Sequence, residues 1–171
     1  MMKRGFTFGV LIIFFASGNW GCSASYSFTG ASIAPEIETV SIGFFQANAA
    51  LTPPRASQLF TEKLKDIFLT QTNLTLVKSG GDLEFEGAIT DYRTSPVAIQ
   101  GNETAALTRV TMTVNVRFVN NYDEEQSFET SFSRFEDFET SRDLSSVEDE
   151  ILESINDQLT QDIFNKAVTN W

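Results

Sequence analysis

The sequence lacks histidine altogether and contains a single cysteine among its 171 residues. Imidazole and thiolate groups are the usual ligands of zinc, copper and haem iron, and histidine is the base of the common catalytic triads. The GxSxG, SxxK and glycine-rich phosphate-loop patterns are missing as well. These absences exclude His-based hydrolases and the usual transition-metal sites. We therefore expect no metal or cofactor, and a protein that is not an enzyme.

Basic residues are scarce: the chain has 12 Lys and Arg against 23 Asp and Glu, a net charge of −11. Nucleic-acid binding needs a clustered basic surface that neutralises phosphates, so no nucleic acid is an expected partner. An anionic membrane surface would also repel the chain, and any membrane attachment must therefore rest on a lipid. The acids cluster at 122–125, 135–139 and 145–151 without the spacing of a calcium loop, and the first and last of these fit a solvated turn and a helix N-terminus.

The N-terminal apolar run, residues 6–16, is too short to cross a bilayer as a helix, which needs about 20 residues. It follows Lys3 and Arg4 and precedes small and polar residues. This three-part layout is typical of a bacterial export signal. We therefore predict that residues 1–21 are a signal peptide.

The lone cysteine, Cys22, stands directly after this segment and after the small residue Gly21. Without a second cysteine, no intramolecular disulfide can form. The position resembles a lipobox, in which the cysteine is acylated and becomes the first residue of a lipoprotein, although Asn19 and Trp20 depart from the usual residues. The alternative is a signal cut elsewhere, which would leave Cys22 as a free thiol. Two or more acyl chains would anchor the protein stably, at ~0.8 kcal/mol per buried CH₂.

Alternation of apolar and polar residues predicts the strands. The first strand, residues 39–45, places Val40, Ile42 and Phe44 on one side. The later strands are 83–92, 107–119 and 126–138, with a short apolar run at 74–77. Gly87 interrupts the apolar side of its strand, which indicates a bulge or the close approach of a helix.

The strand at 107–119 has the clearest two faces. Its apolar face consists of Val110, Met112, Val114, Val116 and Phe118, and its polar face of Arg109, Thr111, Thr113, Asn115 and Arg117. In the next strand we expect Phe128 and Phe132 to point inward. The segment 93–106 is predicted as a loop from its Pro, Gly and Asn content, and loops of this length are often functional.

Two segments have helical periodicity. Thr52 is predicted to cap the first helix, which carries prolines in its first turn and ends near Gln71. The second is predicted over Leu144–Val168, with Ser145 and Glu148 as a capping box. The apolar stripes consist of Leu59, Phe60, Leu64, Ile67 and Phe68 in the first helix, and of Val147, Ile151, Leu152, Ile155, Leu159, Ile163, Phe164 and Ala167 in the second.

The element order β-α-β-β-β-α predicts an α+β fold. One-sided strands and two amphipathic helices form a two-layer sandwich, with both helices packed on one face of a mostly antiparallel or mixed sheet of about four strands. The polar face of that sheet stays open.

Arginines on the polar face permit two interpretations. Arg109 and Arg117 share one strand face, with Arg134 expected on a neighbouring strand, and together they could recognise anionic groups of a lipid or partner. The alternative is cross-strand pairing with acids on the same wet face. The candidate acids are Glu84, Glu86 and Glu129. The spacing favours this second interpretation.

Several segments together resemble the LptE family of lipopolysaccharide-assembly lipoproteins, in the same element order and over essentially the whole mature chain. They are SFTGASIAPEIETVSIGFF, SQLFTEKLKDIFLTQTNLTLV, GDLEFEGAITDYRTSPVAIQGNETAALTRVTMTVNVRF, FSRFEDF and SSVEDEILESINDQLTQDIFNKAVTNW. The resemblance implies two helices on a four-stranded sheet and no enzymatic activity. It also implies a place inside and beneath the outer-membrane β-barrel LptD, which such a protein helps to assemble and with which it forms the lipopolysaccharide translocon.

The resemblance completes the domain prediction. Residues 1–21 are the lipoprotein signal peptide, 22–36 a lipidated tether and 37–171 a single LptE-like α+β domain. The expected location is the outer membrane, lipid-anchored on its periplasmic side.

The expected partners are an LptD-like barrel and lipopolysaccharide, with the acidic balance of the chain favouring the plug and assembly role over direct lipid binding. The candidate barrel-binding residues are Pro96, Val97, Gln100, Asn102, Thr104, Arg109, Thr111 and Thr113. The competing hypothesis is a free-standing periplasmic lipoprotein that binds a small ligand or a soluble partner.

Overall fold

The computed structural model describes residues 33–97 and 106–168. Within these residues the chain forms six strands and two α-helices. They are β1 (Thr39–Ile42), β2 (Gln46–Ala47), α1 (Ala56–Gln71), β3 (Thr75–Val77), β4 (Leu83–Val97), β5 (Leu107–Asn120), β6 (Phe128–Glu139) and α2 (Leu144–Val168). The predicted bounds of α2 and the predicted end of α1 are confirmed. Neither described helix is both long and apolar enough to cross a membrane.

The sheet is mixed, with the strand order β3-β1-β4-β5-β6 and with β2 beside β4. β1 is parallel to β3, because α1 carries the chain across the sheet between them, and it is also parallel to β4. β4, β5 and β6 form an antiparallel meander. The predicted α+β fold is confirmed. The described sheet has six strands instead of about four, because β2 and β3, with 2 and 3 residues, are too short to show a periodicity.

Both helices pack on one face of the sheet, and phenylalanine rings connect the two layers. Phe68 on α1 lies 4.8 Å from Phe85 on β4 and 5.0 Å from Phe164 on α2, measured between ring centroids. Phe60 meets Phe45 at 5.0 Å. The predicted apolar face of β5 is also buried in this core: Val110, Met112, Val114, Val116 and Phe118. Phe128 and Phe132 are partly buried against it, as predicted.

The prediction for Phe44 is wrong. β1 ends at Ile42, and the Phe44 side chain is 60% exposed whereas Phe45 is fully buried. The backbone N–H of Phe45 donates to the Thr61 hydroxyl on α1 at 3.1 Å, which draws Phe45 into the core. The strict alternation therefore breaks at Gly43. The next residue to enter the core with Val40 and Ile42 is Phe45 instead of Phe44.

The predicted capping of α1 by Thr52 is also wrong. The helix begins at Ala56, and Arg55 before it makes no capping hydrogen bond through its side chain. Pro54, one of the two residues whose N–H groups such a cap would bind, has none, and the buried Thr52 hydroxyl makes no hydrogen bond within the described residues.

The predicted capping box of α2 is wrong. The helix begins at Leu144, so that Ser145 lies inside its first turn. The preceding residue, Asp143, accepts hydrogen bonds at its carbonyl oxygen from the Ser146 N–H (2.9 Å) and hydroxyl (2.7 Å).

The predicted loop 93–106 is too long. Arg93 to Val97 continue β4 and pair with β5, Arg93 opposite Thr111 and Val97 opposite Leu107. Pro96 is tolerated in the strand because β2 pairs only with Ala88 and Ile89, so that β4 has no second strand beside it from 91 to 97 within the described residues.

Gly87 allows a close approach, but the approaching groups belong to β5 and Phe45 and not to a helix as predicted. A Cβ atom at this position would lie 2.1 Å from the carbonyl oxygen of Asn115 on β5 and 2.6 Å from the ring of Phe45. Glycine is therefore required where Phe45 packs on the ladder between β4 and β5. The β-bulge lies two residues later, between Ile89 and Asp91.

Candidate functional site

The surface that the helices leave uncovered is the outer side of β4, β5 and β6, here called the open sheet face. Residues opposite each other in an antiparallel ladder point to the same side, so the register defines its members. They are Glu84, Glu86, Ala88, Asp91, Arg93, Ser95 and Val97 on β4; Leu107, Arg109, Thr111, Thr113, Asn115, Arg117 and Val119 on β5; and Glu129, Ser131, Ser133, Phe135, Asp137 and Glu139 on β6.

Arg109 makes both an ion pair and a ring contact on this face. Its guanidinium group donates two hydrogen bonds of 2.8 Å to the carboxylate of Asp137, directly opposite on β6. The same group lies 3.5 Å from the ring centroid of Phe135. Hydrogen bonding from Arg109 lowers the pKa of Asp137 below its ordinary value, although partial burial opposes the shift. A planar guanidinium that is both paired and stacked is held in one orientation.

The other two arginines of the open sheet face, as far as the structure describes it, are paired as well. Arg93 donates to Asp91 on the same strand. Arg117 donates to Glu86 across the β4–β5 ladder at 3.3 Å. The cross-strand pairing predicted for Arg109 and Arg117 is confirmed. Glu86 was among the predicted acids, whereas Asp137, the partner of Arg109, was not.

Arg134 lies on the other side of the sheet from these arginines, contrary to the prediction. It is opposite Met112, whose side chain is fully buried under the helices. Its guanidinium group donates to Asp162 on α2. Arg134 follows the inward-facing residues Phe132 and Phe128 by two and six positions. Even intervals along a strand keep side chains on one side, and this was the signal in the sequence for its orientation.

Neutral hydroxyl and amide groups occupy the middle of the open sheet face. Thr113 donates to the Ser133 hydroxyl at 3.0 Å, and the Asn115 amide reaches the Ser131 hydroxyl at 3.5 Å. Thr111, between Arg93 and Phe135 in the register, is buried. The face therefore presents short neutral polar groups between paired charges.

Exposed aromatic side chains on this face were not predicted. Phe135 is 47% exposed and Phe44 is 60% exposed. Phe45 points into the core and Gln46 pairs with Ala88, so alternation directs Phe44 to the open side beside β4. Phe135 follows the inward positions 128 and 132 at an odd interval, and this parity could have identified it.

The structure brings together only part of the predicted barrel-binding set. Arg109, Thr111 and Thr113 lie on the open sheet face, with Val97 at its end. Pro96 is opposite Thr108 and belongs to the other side of the sheet. The remaining predicted residues, Gln100, Asn102, Thr104 and the lipidation candidate Cys22, lie outside the described residues.

Acidic residues on the described surface do not converge on a metal site. No group of three or more His, Cys, Asp or Glu side chains in residues 33–97 and 106–168 has an arrangement that could hold an ion. The open sheet face presents hydrogen-bonding groups, paired charges and two aromatic rings.

Comparison with protein families gives a match over nearly all of the described chain. The model of the family described as LptE, lipopolysaccharide-assembly, matches residues 37–167. No curated protein sequence matches at a significant level.

Solved structures are similar at low sequence identity, and the two with TM-scores above 0.5 share the fold. A protein from Xanthomonas campestris is 10% identical, with a TM-score of 0.52 over 81% of this chain and 90% of that one. A hypothetical protein from Chlamydia trachomatis is 11% identical, with a TM-score of 0.51 over 78% of this chain and 99% of that one. The rare lipoprotein B from Shewanella oneidensis is 9% identical, with a TM-score of 0.46 over 74% of this chain and 89% of that one.

Proposed function

Because the chain belongs to the LptE lipopolysaccharide-assembly family, we propose that it is a non-enzymatic outer-membrane lipoprotein that plugs an LptD-like β-barrel and assists its assembly. The observation that carries this proposal is the extent of the family match. It runs from 37 to 167 and therefore takes in every described strand and all but the last residue of α2. The whole two-layer domain is accordingly the unit to which the family's role applies.

The anchor in this proposal is Cys22. Acylation there would confine the domain to the inner leaflet of the outer membrane, on the periplasmic side, with residues 22–36 as the tether. Such confinement raises the effective concentration of a membrane-embedded partner without any additional contact. The chain's net charge of −11 gives no electrostatic attraction to an anionic lipid surface, so the lipid would have to supply the attachment.

The surface in contact with the barrel is the open sheet face, together with residues 96–104 at the end of β4. The inside of an outer-membrane barrel is polar, because its strands alternate between lipid-facing and lumen-facing residues. Hydroxyl groups such as those of Thr113 and Ser133, and compensated pairs such as Arg109 with Asp137, can contact such a wall without burying an unpaired charge.

Lipopolysaccharide is the weaker candidate for this face. Recognition of its phosphates would require free guanidinium groups. Arg93, Arg109 and Arg117 already donate to carboxylates on the same side of the sheet. A phosphate would have to displace those acids, so we favour the plug and assembly role.

The test is an affinity purification of the tagged protein from detergent-extracted membranes, with mass spectrometry of the bound proteins and with Cys22→Ala in parallel. We expect a barrel of the LptD type in near one-to-one amount, and less of it with Cys22→Ala. A monomeric protein that brings down no barrel would contradict the proposal and would favour a free-standing lipoprotein.

A further inference from the structure

Exposed phenylalanine is unusual on a wet sheet face, and here two such side chains lie on one face. Among the described residues, the large apolar side chains with substantial exposure are Phe44, Leu51, Leu69, Tyr122 and Phe135. Phe44 and Phe135 share the open sheet face, one beside β4 and the other on β6. An exposed aromatic residue surrounded by polar groups is the usual form of a binding anchor.

Phe135 is held in place before any partner arrives. The Arg109 guanidinium lies 3.5 Å from its ring centroid and is itself fixed by two hydrogen bonds to Asp137. Thr111, opposite Phe135 in the ladder, is buried. A side chain that is already ordered loses little conformational entropy on binding, and this favours a tight contact.

The charges around Phe135 select the kind of partner. Arg93 with Asp91, and Arg109 with Asp137, leave no net charge in the three register rows at 91–113–133, 93–111–135 and 95–109–137. A strongly charged ligand would gain little there, whereas a neutral polar surface with a recess for one ring would leave both pairs intact. The polar inner wall of a barrel has this chemistry.

The size of the face is also suitable for a protein partner. Three strands at a spacing of about 4.8 Å, each roughly 40 Å long, give a projected area on the order of 600 Å². Stable protein interfaces bury about 800 Å² on each partner. The open sheet face can therefore supply most of one interface.

We propose that Phe135, stacked on Arg109, is the anchor of the contact between the open sheet face and the inner wall of the LptD-like barrel, with Phe44 as a second apolar contact. This inference rests on the proposed function and adds the residues on which the affinity depends. Asp137 is a positioning residue, because it acts by holding Arg109 against the ring.

The experiment is a competition within one membrane. Each variant carries one affinity tag and is co-expressed with the wild-type lipoprotein carrying another, and the barrel recovered with each tag is measured. The matched control for Phe135→Ala is Leu69→Ala, since Leu69 has the same exposure of 47% but lies on α1, in the helix layer.

We expect Phe135→Ala to lower the ratio of recovered barrel about tenfold, as truncation of an interface anchor does, and Leu69→Ala to leave it within about twofold. Phe44→Ala should have a smaller effect than Phe135→Ala. Arg109→Lys keeps the charge but loses the two-pronged bond to Asp137, so it should give an intermediate ratio. Thermal unfolding of each purified variant checks that the fold is intact.

The outcomes separate the two proposals. If the wild-type protein recovers no barrel, the proposed function fails. If the wild type recovers the barrel but folded Phe135→Ala competes as well as Leu69→Ala, the anchor assignment is overturned while the proposed function stands. Loss of a homodimer in Phe135→Ala without loss of the barrel would also overturn it, in favour of a contact between copies of this chain.

Discussion

Arg134 on β6 donates two hydrogen bonds, of 2.5 and 2.8 Å, to the carboxylate of Asp162 on α2. The pair connects the edge strand of the sheet to the helix that covers it. Further along the same two elements, the Glu136 carboxylate accepts a hydrogen bond of 2.6 Å from Ser154. Polar contacts thus hold this edge strand against α2.

A double-mutant cycle of Arg134→Ala and Asp162→Ala measures this pair. Both side chains are partly exposed, so solvent screens the attraction, and we expect a coupling free energy of at most about 1 kcal/mol. Urea unfolding of the two single variants and the double variant gives the value. A coupling well above that limit would show that the contact is more shielded from water than its exposure indicates.

Gly87→Ala should be severely destabilising. The added Cβ would lie 2.1 Å from the Asn115 carbonyl oxygen. That oxygen belongs to the backbone of β5, which is paired with β4 at this point. The ladder would have to open or Phe45 to move, and we expect a loss of several kcal/mol or failure to fold.

The matched control is Gly43→Ala, where the new Cβ would have its nearest neighbour at 3.4 Å. Chemical denaturation of both variants should show a small change for Gly43 and a large one for Gly87. Equal, small losses would contradict the close approach.

Tyr92→Phe tests a buried hydroxyl group. The Tyr92 side chain is buried, and its hydroxyl has no hydrogen-bond partner within the described part of the chain. Removal of an unpaired buried hydroxyl should leave stability at pH 7 unchanged or raise it by up to about 1 kcal/mol. Thermal unfolding at neutral pH measures this, and a clear loss of stability would mean that the hydroxyl has a partner.

The same variant should alter stability in alkali. Burial, aided by the negative charge of Glu148, raises the pKa of Tyr92 to about 12. A folded-state pKa above the unfolded value of about 10 means that stability is fully present below pH 10 and is lost as the pH rises toward 12. Tyr92→Phe should therefore lose less stability than the wild type between pH 9 and roughly pH 11.

The fold was predictable because its long elements have clear periods. The apolar face of β5 and the full extent of α2 follow from alternation and from the four-residue repeat. The errors occur where a tertiary contact overrides the local pattern. Phe45 is drawn inward by Thr61, and β4 runs on through Pro96 because β5 supplies a complete ladder on one side.

The candidate site was harder to predict than the fold. Alternation identified the Arg109, Thr111 and Thr113 face, but not that Asp137 would lie opposite Arg109, since that depends on the register between β5 and β6. Phe135 was missed for a different reason, because its side follows from its own strand and not from the register. A phenylalanine in a strand is usually assigned to the core, and only the parity of its position relative to Phe128 places it outside.

Asp82 connects the start of β4 to the start of β1, and its loss should weaken the parallel pairing at that end of the sheet. Its carboxylate accepts hydrogen bonds from the backbone N–H groups of Glu38 and Thr39, at 3.0 and 2.9 Å, and from the Thr39 hydroxyl at 2.7 Å. These bonds favour the charged form and lower the pKa of Asp82, with the Thr39 hydroxyl as the largest cause.

A lowered folded-state pKa means that the stabilisation is present above the unfolded value, about pH 4, and is lost as the pH falls through the folded value. Asp82→Asn should therefore be less stable than the wild type at pH 7, and the difference should shrink on acidification below about pH 4. Urea titrations at pH 7 and pH 3 measure both differences, with Asp66→Asn on the surface of α1 as the control. A difference that stays constant between the two pH values would contradict this prediction. It would show that Asp82 stabilises the fold without any contribution from its charge.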